Sequence, residues 1–167
     1  LGENVTGKTT FINFLLHGEI TKIYRGTLQK EFKEGKKIKM ADLKIRIHDF
    51  NDLGGSDLNY PQWKEEFIKS DICFYIVDIQ KWKNDDNNCR ERVSKDLARL
   101  AHWCEGDKQH FIFYLFNFCD LLPDYSPSNP MKIQDILTRE FKEYNEQQLI
   151  KCRSRKAYAA CSMHIKY

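Results

Sequence analysis

Apolar and polar positions along this chain follow two rhythms that take turns. Windows with a period near 3.6 residues trade places with windows of period two and with short unbroken apolar runs. This predicts an alternating α/β domain with a largely parallel sheet. A first helix carries Phe11, Phe14 and Leu15 on one face and fades near Gly18. Residues 36–40 and 43–49 follow as a hairpin turning at Ala41 and Asp42, because Leu43, Ile45 and Ile47 alternate with Lys44, Arg46 and His48. The runs 72–77 and 111–116 are continuously apolar, as strands covered on both faces are. Between them Val93, Leu97, Leu100, Ala101 and Cys104 trace a helical stripe, and Ile133, Ile136, Leu137 and Phe141 trace another. A last strand is predicted over 156–161.

The chain has 167 residues, 41% of them hydrophobic, enough for one compact domain over 1–167 with its own core. Charged residues nearly cancel to a net charge of +3, which argues against a nucleic-acid surface. Basic residues gather locally at 30–39 and 151–156 and read as solvated edges. Six cysteines show no C-x-x-C spacing and several sit in apolar runs, so buried reduced thiols are expected rather than zinc or disulfides. The five histidines are scattered without ligand spacing. No signal peptide, long apolar span or lipidation motif is visible, so a cytoplasmic location is the default expectation, with membrane attachment undetermined. Only Leu1 precedes the first glycine and no covering helix follows 156–161, so the sequence reads as trimmed at both ends.

The chemistry begins at Gly2. Gly2, Glu3, Asn4, Val5, Thr6, Gly7, Lys8 and Thr9 complete the pattern G-x-x-x-x-G-K-S/T. A polyphosphate needs many donors converging without side chains in the way. Gly2 and Gly7 permit the tight turn that points the amides of Asn4, Val5 and Thr6 inward. Lys8 brings a mobile ammonium to the β and γ oxygens, and the Thr9 hydroxyl can ligate Mg2+ bridging them. Thr10 then lies near an α-phosphate, where the helix launches.

Open α/β sheets bind ligands beyond the carboxyl ends of their strands. After the strand 43–49 come Asp49, Phe50, Asn51, Asp52, Leu53, Gly54 and Gly55. A carboxylate here can hold Mg2+, and a glycine N–H can touch a γ-phosphate. Asp49 is favoured as the strand-end carboxylate, while Asp52 has the D-x-x-G spacing to Gly55. After 111–116 come Asn117, Phe118, Cys119 and Asp120. The Asp120 carboxylate can accept two parallel bonds from the N1 and N2 edge of guanine, a donor pair adenine lacks. Backbone N–H groups at Cys161 and Ser162 can meet guanine O6.

In this order and spacing the motifs resemble the Ras superfamily of small GTPases over nearly the whole chain, closest to its Arf-like and Rab-like members. The resemblance implies a P-loop three-layer α/β sandwich with a mostly parallel sheet, the small G-protein fold. The phosphate loop is similar to the Arf-like branch, where a polar residue also stands at the place of Asn4. Tyr24, Arg25, Gly26 and Thr27 look like a first switch, with Thr27 closing on Mg2+ and the γ-phosphate. Leu53, Gly54 and Gly55 look like the Arf-like second switch, with Trp63 similarly placed. Asn117 and Asp120 match the ends of the N-K-x-D base motif, and Cys161 the weak final one. Two positions depart from the pattern. Phe118 replaces the lysine whose stem lies along the base, offering a ring to stack instead. Ser56 replaces the glutamine that orients the attacking water, which predicts slow hydrolysis.

The resulting expectation is a GTP-binding switch that turns GTP into GDP and phosphate with Mg2+, with Lys8, Thr27 and Gly55 acting on the γ-phosphate. A protein effector or activating partner would read the switch loops. A non-hydrolysing nucleotide-binding scaffold is the alternative, and an ATP-using P-loop enzyme a third reading. Tyr60, Trp63 and Phe67 are candidates for an aromatic partner surface, with core packing an equal alternative for Phe67, and 121–131, with three prolines, for a rigid loop beside the base.

Overall fold

The computed structural model describes residues 1–18, 31–34, 37–40, 43–46, 49–106 and 108–162. Its centre is a parallel sheet of β5 (Ile72–Asp78), β6 (Phe111–Asn117) and β7 (Arg155–Ala160) in that order. Register is exact along the strands, from Ile72 opposite Phe111 to Asp78 opposite Asn117. Leu1 pairs with β5: its main-chain nitrogen donates to the Phe74 carbonyl at 2.5 Å, and its carbonyl accepts from Ile76 N–H at 2.9 Å.

Two antiparallel pairs precede this sheet in the chain. The predicted hairpin is present as β2 (Lys37–Met40) with β3 (Leu43–Arg46), Met40 opposite Leu43. The second pair, β1 (Glu31–Glu34) with β4 (Asp49–Asp52), was not expected. Its residues carry no hydrophobic alternation, so backbone pairing alone reveals them.

The strand period of two divides the core into two faces. Cys73, Tyr75 and Val77 of β5, with Ile112, Tyr114 and Phe116 of β6, point to one side. There they meet Trp63 and Phe67 of α2 (Tyr60–Lys69), Ile79 and Trp82 of α3 (Ile79–Asn84), and Leu97 and Leu100 of α4 (Cys89–Trp103). Leu137 and Phe141 of α5 (Pro130–Tyr144) and Leu149 of α6 (Glu146–Lys151) complete that layer. Phe141 has no exposed surface and lies against the rings of Trp82, Tyr114 and Phe116. Truncating a phenylalanine so placed costs about 3–5 kcal/mol.

Ile76 and Leu115 point to the other face, with Phe11, Phe74 and Phe113 packed around them. Phe11 belongs to α1 (Lys8–His17), which ends at Gly18 in the left-handed region with φ 75°. The fully buried stripe of α1 is Lys8, Ile12 and Leu16; of the stripe the sequence suggests, Phe11 is partly buried against the sheet and Leu15 partly buried, while Phe14 is 46% exposed. The phosphate loop sets this phase, because it turns Lys8 inward and i+4 spacing carries Ile12 and Leu16 with it.

The aromatic-surface expectation is also corrected. Trp63 and Phe67 are core residues, 1% and 2% exposed, and only Tyr60 keeps partial exposure. All six cysteines are free thiols and five are buried; Cys104 and Cys152, ending α4 and α6, bring their sulfurs within 3.3 Å. His110 is structural, stacked on Phe67 with its Nδ1 2.9 Å from the Ser70 carbonyl. Among the described residues, no helix is long and apolar enough to cross a membrane.

Candidate functional site

Gly2 has φ 128°, and a Cβ there would lie 2.2 Å from the Ile76 carbonyl oxygen, so no side chain fits. Val5 and Gly7 also take positive φ, 64° and 91°. Such alternation of handedness curls a chain so that successive amides face one hollow. Thr6, almost fully buried, holds the curl by donating its hydroxyl to the Glu3 carbonyl at 3.0 Å. The Lys8 ammonium spans the same loop, donating to the carbonyls of Gly2 at 3.0 Å and Glu3 at 2.6 Å. Thr9 and Thr10 open α1 directly behind it.

The base motif is fastened to this loop. Asn117 ends β6 with no exposed surface; its side-chain amide donates to the Thr6 carbonyl at 3.0 Å and its oxygen accepts from Phe118 N–H at 2.9 Å. Phe118 turns the chain with φ 65°, and a 3-10 helix Cys119–Leu121 presents Asp120. Cys161 N–H donates to the Phe116 carbonyl at 2.8 Å, and the Cys161 carbonyl accepts from Cys119 N–H at 3.2 Å. The Ser162 hydroxyl donates to the Asp120 carboxylate. Asn117, Phe118, Asp120, Cys161 and Ser162 thus gather at one end of the sheet beside the phosphate loop.

The second-switch segment closes the same end. A Cβ on Gly55 would sit 2.3 Å from Asn4 N and from Glu3 C, so the glycine lies directly on the phosphate loop. Trp63 Nε1 donates to the Gly54 carbonyl at 2.9 Å, and Arg92 Nη2 to the Gly55 carbonyl at 3.1 Å. Ser56 caps the 3-10 helix Asp57–Asn59, its hydroxyl accepting from Leu58 N–H at 3.4 Å. Asp49 begins β4 and Asp52 ends it, next to Leu53 and Gly54. The first switch, including Thr27, lies outside the described residues.

Three functional candidates escaped the sequence reading. Asp78 ends β5 beside Asn117, is 6% exposed, and accepts from Lys81 N–H at 3.0 Å as the cap of α3. Burial raises its carboxyl above the usual range, against the opposing pull of the Lys81 amide and ammonium. Its signal was the acid closing an apolar run. Arg92 and Asp96 lie one turn apart on α4, a spacing visible in the sequence, but their partners are far away in the chain.

Glycines at which a Cβ would strike backbone, a curled run of amides and a lysine folded over it are donors of the kind that fit the phosphates of a nucleotide.

The family model described as Arf, the ADP-ribosylation factor family, matches residues 1–156. No curated protein sequence matches the chain. Among solved structures, the mammalian SRP receptor superposes with a TM-score of 0.64 at 15% identity, covering 97% of this chain and 88% of that one. The Arl6 (BBS3) small GTPase from Trypanosoma brucei, with the nucleotide analogue GppNp bound, superposes with a TM-score of 0.56 at 14% identity, covering 96% and 83%. At such identities the likeness is one of fold, the small G-protein fold.

Proposed function

This chain belongs to the ADP-ribosylation factor family, and on that premise we propose that it is a guanine-nucleotide switch, one G domain over 1–167, that hydrolyses GTP slowly to GDP and phosphate. Family membership carries guanine-nucleotide binding in general; the residue roles and the turnover are our reading. The observation that supports it is the Asn117 bond to the Thr6 carbonyl, which fastens the strand end that leads to Asp120 to the glycine-rich loop.

In this reading Asp120 accepts the N1 and N2 protons of guanine, the Ser162 N–H meets O6 while the Cys161 N–H stays with the Phe116 carbonyl, and the Phe118 ring lies along the base. Amides of Asn4, Val5, Thr6 and Gly7 receive phosphate oxygens, with Lys8 on the β and γ groups. Thr9, Thr27 and Asp52, with Asp49 the alternative to Asp52, would hold a magnesium ion, which would offset the phosphate charge. Water attacks the γ-phosphorus in line with the departing oxygen, and Lys8 and the Gly55 N–H meet the developing charge. Loss of the γ-phosphate releases Thr27 and loosens Gly55, and a partner protein reads the difference.

Isothermal titration with GDP, a non-hydrolysable GTP analogue and ATP tests the site. We expect guanine to be preferred over adenine by at least about a hundredfold. Asp120→Asn should favour xanthine, because an amide offers a donor where xanthine presents a carbonyl at C2. Equal affinity for ATP and GTP would overturn the base assignment.

One observation favours a second reading, a nucleotide-holding scaffold without turnover. Ser56 stands in place of the water-orienting glutamine with a shorter side chain, and its oxygen accepts from Leu58 N–H at 3.4 Å. Single-turnover release of phosphate, abolished in Lys8→Ala, would exclude the scaffold.

A further inference from the structure

We propose that Arg92, Asp96 and Tyr60 are positioning residues that aim the Gly55 N–H at the γ-phosphate, so that this chain's preference for a triphosphate over a diphosphate is set from helix α4. The inference rests on the nucleotide reading above and names the residues that tune it.

Asp96 is 1% exposed, and a carboxylate so buried needs partners on both oxygens. It has them. Tyr60 donates its hydroxyl to Oδ1 at 2.5 Å, Tyr75 donates to Oδ2 at 2.8 Å, and Arg92 Nε donates to Oδ1 at 3.1 Å. Arg99 Nη1 stands 3.9 Å away. The carboxylate therefore fixes the rotation of the Arg92 guanidinium. With Nε committed to Asp96, the planar fork sends Nη1 to the Asp57 carboxylate and Nη2 to the Gly55 carbonyl at 3.1 Å. Tyr60 is held in turn between cations, the Arg99 guanidinium 3.8 Å and the Arg92 guanidinium 5.1 Å from its ring centre.

This network acts on the most pliable stretch of the site. Two adjacent glycines have the widest conformational freedom of any dipeptide, so an N–H between them has no direction of its own. Both carbonyls of the pair are gripped: that of Gly54 by Trp63 Nε1 at 2.9 Å, that of Gly55 by Arg92. The Gly54 carbonyl and the Gly55 N–H belong to one planar trans peptide and point opposite ways. Trp63 therefore turns the Gly55 N–H away from the core, and Arg92 fixes the peptide that follows. Gly55 rests on Glu3 and Asn4 of the phosphate loop, so the donor is held at the loop before any ligand arrives. GDP has no group for that donor; GTP has.

The test is titration calorimetry on the full chain with magnesium, using GDP and a non-hydrolysable GTP analogue, for the unmodified protein, Arg92→Lys, Asp96→Asn and Tyr60→Phe. We expect Arg92→Lys and Asp96→Asn to weaken the GTP analogue about tenfold while GDP stays within about twofold, since a lysine keeps the charge but not the fork. Tyr60→Phe keeps the ring between the two arginines and loses one bond to Asp96, and should weaken the analogue about threefold. Thermal melts identify any variant that fails to fold, and Tyr60→Phe, the mildest change, then carries the comparison. Equal losses for the two nucleotides, or no change in their ratio, would assign these residues to stability alone and overturn the inference. Failure of the unmodified chain to bind guanine nucleotides would instead overturn the reading of the site, and the positioning role with it.

Discussion

The side-chain amide of Asn117 donates to the main-chain carbonyl of Thr6 across 3.0 Å, and the same side chain's oxygen receives the Phe118 N–H at 2.9 Å. One buried residue joins the end of β6 to the glycine-rich loop that opens α1. Asn117→Ala strands both backbone groups, and each unpaired buried group costs about 1–3 kcal/mol. Urea denaturation should show a lower midpoint with an unchanged slope, and GDP affinity should fall in parallel. An unshifted midpoint would contradict the fastening role.

Gly55 and Gly106 form a matched pair for substitution. A Cβ on Gly55 would meet loop backbone at 2.3 Å, whereas one on Gly106 would find nothing within 4 Å. Backbone cannot step aside as a side-chain tip can. Gly55→Ala should therefore reduce guanine-nucleotide affinity by more than about tenfold. Gly106→Ala should leave binding intact and hold or raise the melting temperature, since it removes freedom from the unfolded chain.

Asp78 carries two opposed effects that substitution separates. Burial lifts its carboxyl pKa, so its contribution to stability is fullest below the ordinary carboxylate range and declines as pH rises through the native value. Its cap on Lys81 N–H works the other way. Asp78→Asn keeps a capping oxygen and removes the buried charge, so at pH 7 it should melt at or above the unmodified chain. Asp78→Ala loses the cap at a cost of about 1 kcal/mol.

Tyr60 and Tyr75 are both pushed above the ordinary phenol range, first by burial and then by the Asp96 carboxylate. Groups raised in this way stabilise the fold below pH 10, and that stability is lost as pH climbs through their native values. Absorbance at 295 nm should show these phenols ionising only as the chain unfolds cooperatively. Asp96→Asn should bring the Tyr60 titration down toward the ordinary range.

Phe118 can be tested by restoring the lysine that related proteins carry. Loss of a base-stacking ring costs about 1–3 kcal/mol. Phe118→Ala should weaken GDP accordingly, and Phe118→Lys should recover it. Equal affinity for all three chains would remove Phe118 from the base site.

What could be read in the sequence follows from how far each signal reaches. The hairpin, the three parallel strands and the stripes of α4 and α5 all arise from periodicity among near neighbours and are present, the hairpin over Lys37–Met40 and Leu43–Arg46 where 36–40 and 43–49 are expected. Helices α3 and α6 span six residues each, too few to establish a period. Strand β4 reads as a loop because Asp49, Asn51 and Asp52 are turn residues, and it is a strand only through pairing with β1. That pairing moved the strand end from Asp49 to Asp52. The aromatic residues near the second switch looked like a surface because nothing local told that α2 would turn Trp63 and Phe67 under the sheet. The Asp96 cluster was invisible for the same reason, its tyrosines lying 36 and 21 positions away.

Helix α1 carries its ammonium at one end of the same buried row that anchors it, Lys8, Ile12 and Leu16. Mechanically it is a lever whose fulcrum is hydrophobic and whose tip is ionic. Trimming Ile12 or Leu16 would leave a cavity under the helix that positions the Lys8 amine. In this helix, selection for a looser interior and selection for a weaker grip on anions would draw on the same mutations.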